Sequence, residues 1–146
     1  MNIAFKKIDP ALEIIPAHPD HLKVFWPIVE PWLAAALTYG PPFYNTDDIK
    51  AKVESKDMIC WLAIVGPEII GFTITSIMQY PRALVCDIHW TGGAKHRGRQ
   101  WLRGMLDVIE AWAKDAGCTY SGGGGRKGWI DVFGFKDMGV IFIKEL

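Results

Sequence analysis

The 146-residue sequence predicts an α/β fold in which a mixed, mostly antiparallel central sheet is flanked by helices. Three observations predict it. Apolar runs at 58–65, 69–79 and 83–90 are joined by tight turns at Gly66-Pro67-Glu68 and Tyr80-Pro81-Arg82, so consecutive strands must run antiparallel. An amphipathic stretch over 98–116 places Leu102, Leu106, Ile109 and Ala113 on one stripe and Trp101, Met105, Val108 and Trp112 on the next. A short apolar run at 118–121 follows, where a helical crossover would return a strand parallel to its predecessor.

The remaining elements follow from local chemistry. Residues 12–16 (LEIIP) read as a short strand. His18-Pro19-Asp20 reads as a helix start. The helix carries Leu22, Phe25, Trp26, Val29, Leu33 and Leu37 on a broad apolar face, and Pro27 and Pro31 should kink it or split it in two. Tyr39-Gly40-Pro41-Pro42 breaks the pattern. Thr46 is the expected cap of a second helix, with Asp47 and Asp48 in its first turn. Gly92-Gly93 turns the chain into the long helix, and Gly117 is a suitable residue just past that helix's end. Trp129–Phe133 reads as one helical turn and Met138–Leu146 as a final strand. The expected core is Leu62, Ile64, Phe72, Ile74, Val85, Leu106, Ile109 and Phe142. No repeat or linker divides the chain, so residues 1–146 read as a single domain.

Composition narrows the function classes. Half of the residues are hydrophobic, which fits a packed domain rather than a disordered chain. The formal net charge is zero, which argues against a general nucleic-acid binder. The apolar stretch 24–37 is interrupted by Pro27, Glu30 and Pro31 and is too short to span a bilayer, so no membrane role is expected. The N-terminus lacks a signal-peptide pattern. Cys60, Cys86 and Cys118 form no CxxC pair and fit reduced cysteines in a cytoplasmic protein. His18, His21, His89 and His96 lack metal-ligand spacing.

The segment 83–118 carries most of the chemistry. A strand ends in a basic, glycine-bearing turn (Lys95, His96, Arg97, Arg99) and feeds a helix N-terminus. Free backbone N–H groups, the positive end of the helix dipole and Lys/Arg charge together suit a phosphate. Arg126-Lys127 is a second basic patch. Gly123 to Gly128 matches GxGxxG in form only, since no strand–helix unit or trailing acid accompanies it. No Gly-Lys-Ser/Thr is present, and Ser76 and Ser121 lack a nucleophile-elbow context.

The element order and the run Arg97-Gly98-Arg99-Gln100-Trp101-Leu102-Arg103-Gly104-Met105-Leu106 resemble the GCN5-related N-acetyltransferases and their acyl-CoA pyrophosphate loop. Gly134-Phe135 resembles the Gly-Phe that follows the family's last short helix. A closer likeness is to small acetyltransferase-like proteins of tailed bacteriophages. It rests on Trp61-Leu62, Gln79-Tyr80-Pro81, Val85-Cys86, Gly92-Gly93, Ile109-Glu110-Ala111-Trp112-Ala113, Gly117-Cys118 and Gly125-Arg126-Lys127-Gly128-Trp129. The sequence departs from the family at Gln100 and Leu102, where small residues are usual, and in having no tyrosine within 129–133. One terminal strand is expected where many members have two.

The resemblance implies an acetyl-CoA-dependent N-acetyltransferase acting on a protein or a small amine. Lys95, Arg97, Gly98, Arg99, Gln100 and Trp101 would hold the pyrophosphate, and the backbone of Ile88 and Trp90 would meet the thioester arm. Asp87 and His89 share one strand face and are the candidate bases for the amine, with Tyr120 as a fallback acid. The same alternation fits two polar residues on a solvated face, so both readings stand at this point. The alternatives are a phage accessory or virion-associated protein that keeps the fold without transfer, and an effector that grips a host protein. The implied partners are acyl-CoA, an amine acceptor, a host protein and a second copy in a homodimer, in the host cytoplasm if the chain is phage-encoded.

Overall fold

A computed structural model describes residues 11–125 and 128–146. The elements, in chain order, are β1 (Leu12–Pro16), α1 (Leu22–Leu37), α2 (Thr46–Glu54), β2 (Ile59–Val65), β3 (Glu68–Tyr80), β4 (Ala83–Gly93), α3 (Trp101–Asp115), β5 (Tyr120–Gly122) and α4 (Gly128–Phe133). One-turn 3-10 segments precede α1 (Pro19–His21) and α3 (Lys95–Arg97). The sheet order is β1-β2-β3-β4-β5. Every neighbouring pair is antiparallel except β4–β5, which is parallel, as the crossover through α3 requires.

Two apolar layers sandwich the sheet. On one face α1 and α2 supply Phe25, Trp26, Val29, Leu33, Ile49 and Val53 against Cys60, Leu62, Phe72 and Ile74. On the other, α3 supplies Trp101, Leu102, Met105, Leu106, Ile109 and Ala113 against Trp61, Ala63, Ile70, Cys86 and Ile88. Burial pushes the thiols of Cys60 and Cys86 up to about 12, so both act as small hydrophobes.

Several expectations need correction. Helix α1 is continuous across Pro27 and Pro31; both are exposed and four residues apart, so the backbone bonds they forgo lie on the solvent side. Asn45, not Thr46, caps α2. Its side chain accepts from the Asp48 N–H at 2.8 Å, and Asp48 accepts from the Asn45 N–H at 2.9 Å. Thr46 instead donates to Glu30 and ties α2 to α1. Gly92 and Gly93 do not form a turn; they pair with Phe72 and Gly71 as the end of β4. Their smallness serves packing, because a Cβ on Gly71 or Gly93 would overlap the Trp101 ring. Helix α3 therefore begins at Trp101 rather than Gly98. It closes as expected at Gly117 (φ +95°), with Cys118 N–H bonded to Ala113 and Gly117 N–H to Lys114. Val108 is exposed, so the second apolar stripe of α3 is only partly buried.

Of the expected core, Leu62, Phe72, Ile74, Leu106 and Ile109 are buried. Ile64 and Val85 are only partly so, Val85 because it lies opposite the exposed Tyr120 on the short β5. Phe142 is 87% exposed, and residues 134–146 form no strand.

Candidate active site

The site grows from one irregularity in β4. Ile74 pairs with Trp90 and Thr75 pairs with Ile88, which leaves His89 as an extra residue, a β-bulge. Strict alternation would put Trp90 on the face of Cys86 and Ile88. The bulge sends it to the opposite face, where it packs on the α1–α2 layer. There its ring stacks on His89 (centroids 5.1 Å apart) and meets Tyr44 edge-on at 5.3 Å. His89 Nε2 lies 2.7 Å from the hydroxyl of Ser76 on β3.

Two carboxyl and imidazole groups feel this half-buried setting. Burial lowers the His89 pKa below its ordinary 6.5, against an opposing pull from Asp87. Burial raises the Asp87 pKa, with His89 opposing. His89 is thus a neutral imidazole at neutral pH. In its Nε2–H tautomer it donates to Ser76 and keeps Nδ1 free to accept a proton.

β4 and β5 pair only from Val85–Tyr120 to Asp87–Gly122. Beyond that, β4 runs on to Gly93 with no partner on that edge among the described residues. Gly123 still lies tight against the Ile88 carbonyl, where a Cβ would overlap the oxygen. A notch therefore opens beside the bulge, with peptide groups of β4 along one wall. An extended, amide-bearing ligand can pair with such an edge.

At the far end of β4 lies the basic turn. Gly98 takes φ +65°, a conformation suited to glycine. Gln100 stands at the helix N-cap position with no side-chain cap. Among the described residues, the N–H groups of Arg99, Gln100 and Trp101 find no backbone acceptor. The Gln100 side chain folds over Gly98. The Arg97 guanidinium is bound to Glu68, and His96 Nε2 contacts the other Glu68 oxygen at 3.0 Å. This pairing holds the Glu68 carboxyl below its usual range, Arg97 first among the causes. Arg97 thus anchors the turn to β3, while Lys95 and Arg99 are exposed. Trp101 is buried, and its indole N–H donates to the Gly98 carbonyl, which shapes the turn from beneath. Open N–H groups, a helix dipole and two exposed cations fit a pyrophosphate. Residues 126–127, the second basic patch, lie outside the described residues.

A depression of about 360 Å³ reaches Ser76 from the other side, lined by Lys56, Asp57, Ile59, Ser76, Ile77 and Trp112. Tyr120 is 67% exposed on β5. Helix α4 is held by Arg103, which donates to the Val132 carbonyl at 2.8 Å and lies over the Phe133 ring. Among the described residues no three His, Cys, Asp or Glu side chains gather as a metal site, and no helix is long and apolar enough to cross a membrane. Sequence reading missed Ser76, Glu68 and Tyr44. All three join the site through strand register or loop packing, which no local motif announces.

Solved structures with this architecture decide the fold. An aminoglycoside acetyltransferase from an uncultured soil metagenomic sample superposes with a TM-score of 0.73 at 14% identity, covering 96% of this chain and 99% of its own. The chain has the fold of the GCN5-related N-acetyltransferases. A ribosomal-protein-alanine N-acetyltransferase from Brucella melitensis biovar Abortus 2308 gives 0.71 at 19% identity over 92% of this chain and 99% of its own. An aminoglycoside N-acetyltransferase in complex with CoA gives 0.68 at 16% identity over 92% and 94%. No protein-family model and no curated protein sequence matches the chain.

Proposed function

We propose that this protein transfers an acetyl group from acetyl-CoA to a primary amine. The observation that carries the proposal is the open edge of β4, which runs from the His89 bulge to the uncapped start of α3. One end suits a thioester and the other a pyrophosphate, joined by a wall that can pair with an amide-bearing arm. When bound, acetyl-CoA supplies the activated acyl group.

The chain's own residues would do the rest. The N–H groups of Arg99, Gln100 and Trp101 bind the diphosphate, with charge from Lys95 and Arg99, while Arg97 and Gly98 hold the turn in shape. The peptide groups of Ile88 and Trp90 orient the acyl arm in the notch. The amine approaches His89 on the sheet face that carries the Ser76 hydroxyl. His89 takes the amine proton at Nδ1, with Nε2–H held by Ser76; Asp87 favours the resulting imidazolium. No tyrosine lies in 128–133, so the leaving thiolate takes its proton from solvent or from Tyr120.

A protein N-terminus or lysine and a small amine both present the required group. The likeness to phage proteins supports a bacteriophage setting, with the host cytoplasm as compartment and a host protein as one acceptor. The test is a thiol-release assay with acetyl-CoA and a panel of aminoglycosides, polyamines and peptide N-termini. Amine-dependent CoA release that disappears in His89→Gln supports the proposal. A chain that binds acetyl-CoA but acetylates nothing in the panel supports the fold-retaining accessory protein instead.

A further inference from the structure

β3 outruns its neighbour. β2 begins at Ile59 opposite Thr75, so among the described residues 76–80 of β3 pair with β4 alone and leave an open edge on the other side. The same stretch also lies beyond the helices. The α1–α2 apolar layer takes in Phe72 and Ile74 of β3 and Trp90 of β4 but, among the described residues, nothing between them along the hairpin. Met78 and Tyr80 share the face of Ser76 and His89 and are 45% and 48% exposed. Ile77 points to the opposite face, where with Ile59 and Trp112 it supplies the apolar part of the depression of about 360 Å³. An open strand edge therefore runs between an exposed apolar face and an apolar depression, and its Ser76 end stands at His89.

We infer that this edge binds an extended peptide as an added strand, with the peptide's N-terminal amine at Ser76 and His89 and apolar side chains on its first residues, a substrate class that rests on the acetyl-transfer role given to His89. Main-chain hydrogen bonds to the edge supply affinity, and alternate side chains fall on Met78 and into the depression. Charge points the same way. Asp87, paired with Ser76, is the one carboxylate within 76–80 and 83–87. Lys56 and Asp57 at the depression offset one another. One carboxylate matches one ammonium group, whereas a polyamine or aminoglycoside with several would find too few partners.

The test uses the full chain and two peptides, one beginning Met-Leu-Phe and one beginning Met-Ser-Gly. Each carries fluorescein on a C-terminal lysine, so the α-amine is its one free amine. Fluorescence anisotropy without acetyl-CoA should show the apolar peptide binding more than tenfold tighter, and amide exchange over 76–80 should slow in its presence. Met78→Asp should weaken that binding more than tenfold and Met78→Leu should retain it, with acetyl-CoA affinity and far-UV circular dichroism unchanged. In the CoA-release assay, kcat/KM should favour the apolar peptide over neomycin, and Met78→Asp should act through KM. The binding pattern without CoA release supports the peptide edge and argues against acetyl transfer instead. Equal binding of the two peptides, or unaltered exchange over 76–80, would overturn the inference. So would a preference for neomycin, which would leave acetyl transfer standing, or self-association that Met78→Asp breaks and the peptide does not compete with.

Discussion

The Ser76 hydroxyl and the His89 imidazole meet at 2.7 Å across the β3–β4 pair, at the one place where that pair slips register. Ser76 stands directly opposite Asp87, and the extra residue in β4 brings the His89 ring over it. The bulge is a structural device, since it turns Trp90 onto the face of His89, which a regular ladder would not do.

His89→Gln keeps size and some hydrogen bonding but removes the titrating group. It is expected to lower the acetyl-transfer rate at neutral pH roughly 10²-fold or more, with acetyl-CoA affinity little changed. An unaltered rate would shift the base role to Asp87.

The pH dependence has a definite sign. Burial holds the His89 pKa below 6.5, so the base form persists through neutral pH and the rate should fall as pH drops through that lowered value. In the window between the lowered value and 6.5 the unfolded chain binds more protons at this site. Stability should therefore also decline on acidification there. Ser76→Ala should move the acid limb of the rate profile without abolishing it. A profile identical in wild type and Ser76→Ala would show that the contact has no role in titration.

At the basic turn, Lys95→Ala with Arg99→Ala should weaken acetyl-CoA binding more than tenfold, about 1.4 kcal/mol. Glu68→Gln should weaken it less, because it frees Arg97 and loosens the turn instead of removing charge from it. Equal affinity in all three proteins, read by fluorescence titration, would place the diphosphate elsewhere.

In the core, Leu106→Ala should cost about 2–5 kcal/mol as a cavity between α3 and the sheet. Gly93→Ala should cost about 1–3 kcal/mol by driving a Cβ into the Ile70 carbonyl and the Trp101 ring. Denaturant unfolding measures both; a loss under about 1 kcal/mol for Leu106→Ala would contradict the packing.

The fold was legible where periodicity and turns speak locally. Gly66-Pro67 and Pro81-Arg82 announced two hairpins, and the Leu102–Leu106–Ile109–Ala113 stripe announced α3 and the face it buries. The basic turn was legible as charge before a helix. What was not legible depends on register. No local pattern in 83–93 reveals that His89 is inserted opposite Ile74 and Thr75, that Trp90 thereby leaves the face of Cys86 and Ile88, or that Ser76 meets His89. Gly92-Gly93 looked like a turn because its true constraint, the Trp101 ring, lies eight residues on. The strand reading of 138–146 was fair to its alternation, but a strand needs an edge, and an edge is tertiary information.

Isothermal titration of acetyl-CoA into the purified chain asks whether the β4 edge and the basic turn hold acyl-CoA. Saturable binding at one site per chain is expected, weakened more than tenfold by Lys95→Ala with Arg99→Ala. Absence of binding at millimolar acetyl-CoA by the folded wild-type chain would contradict it.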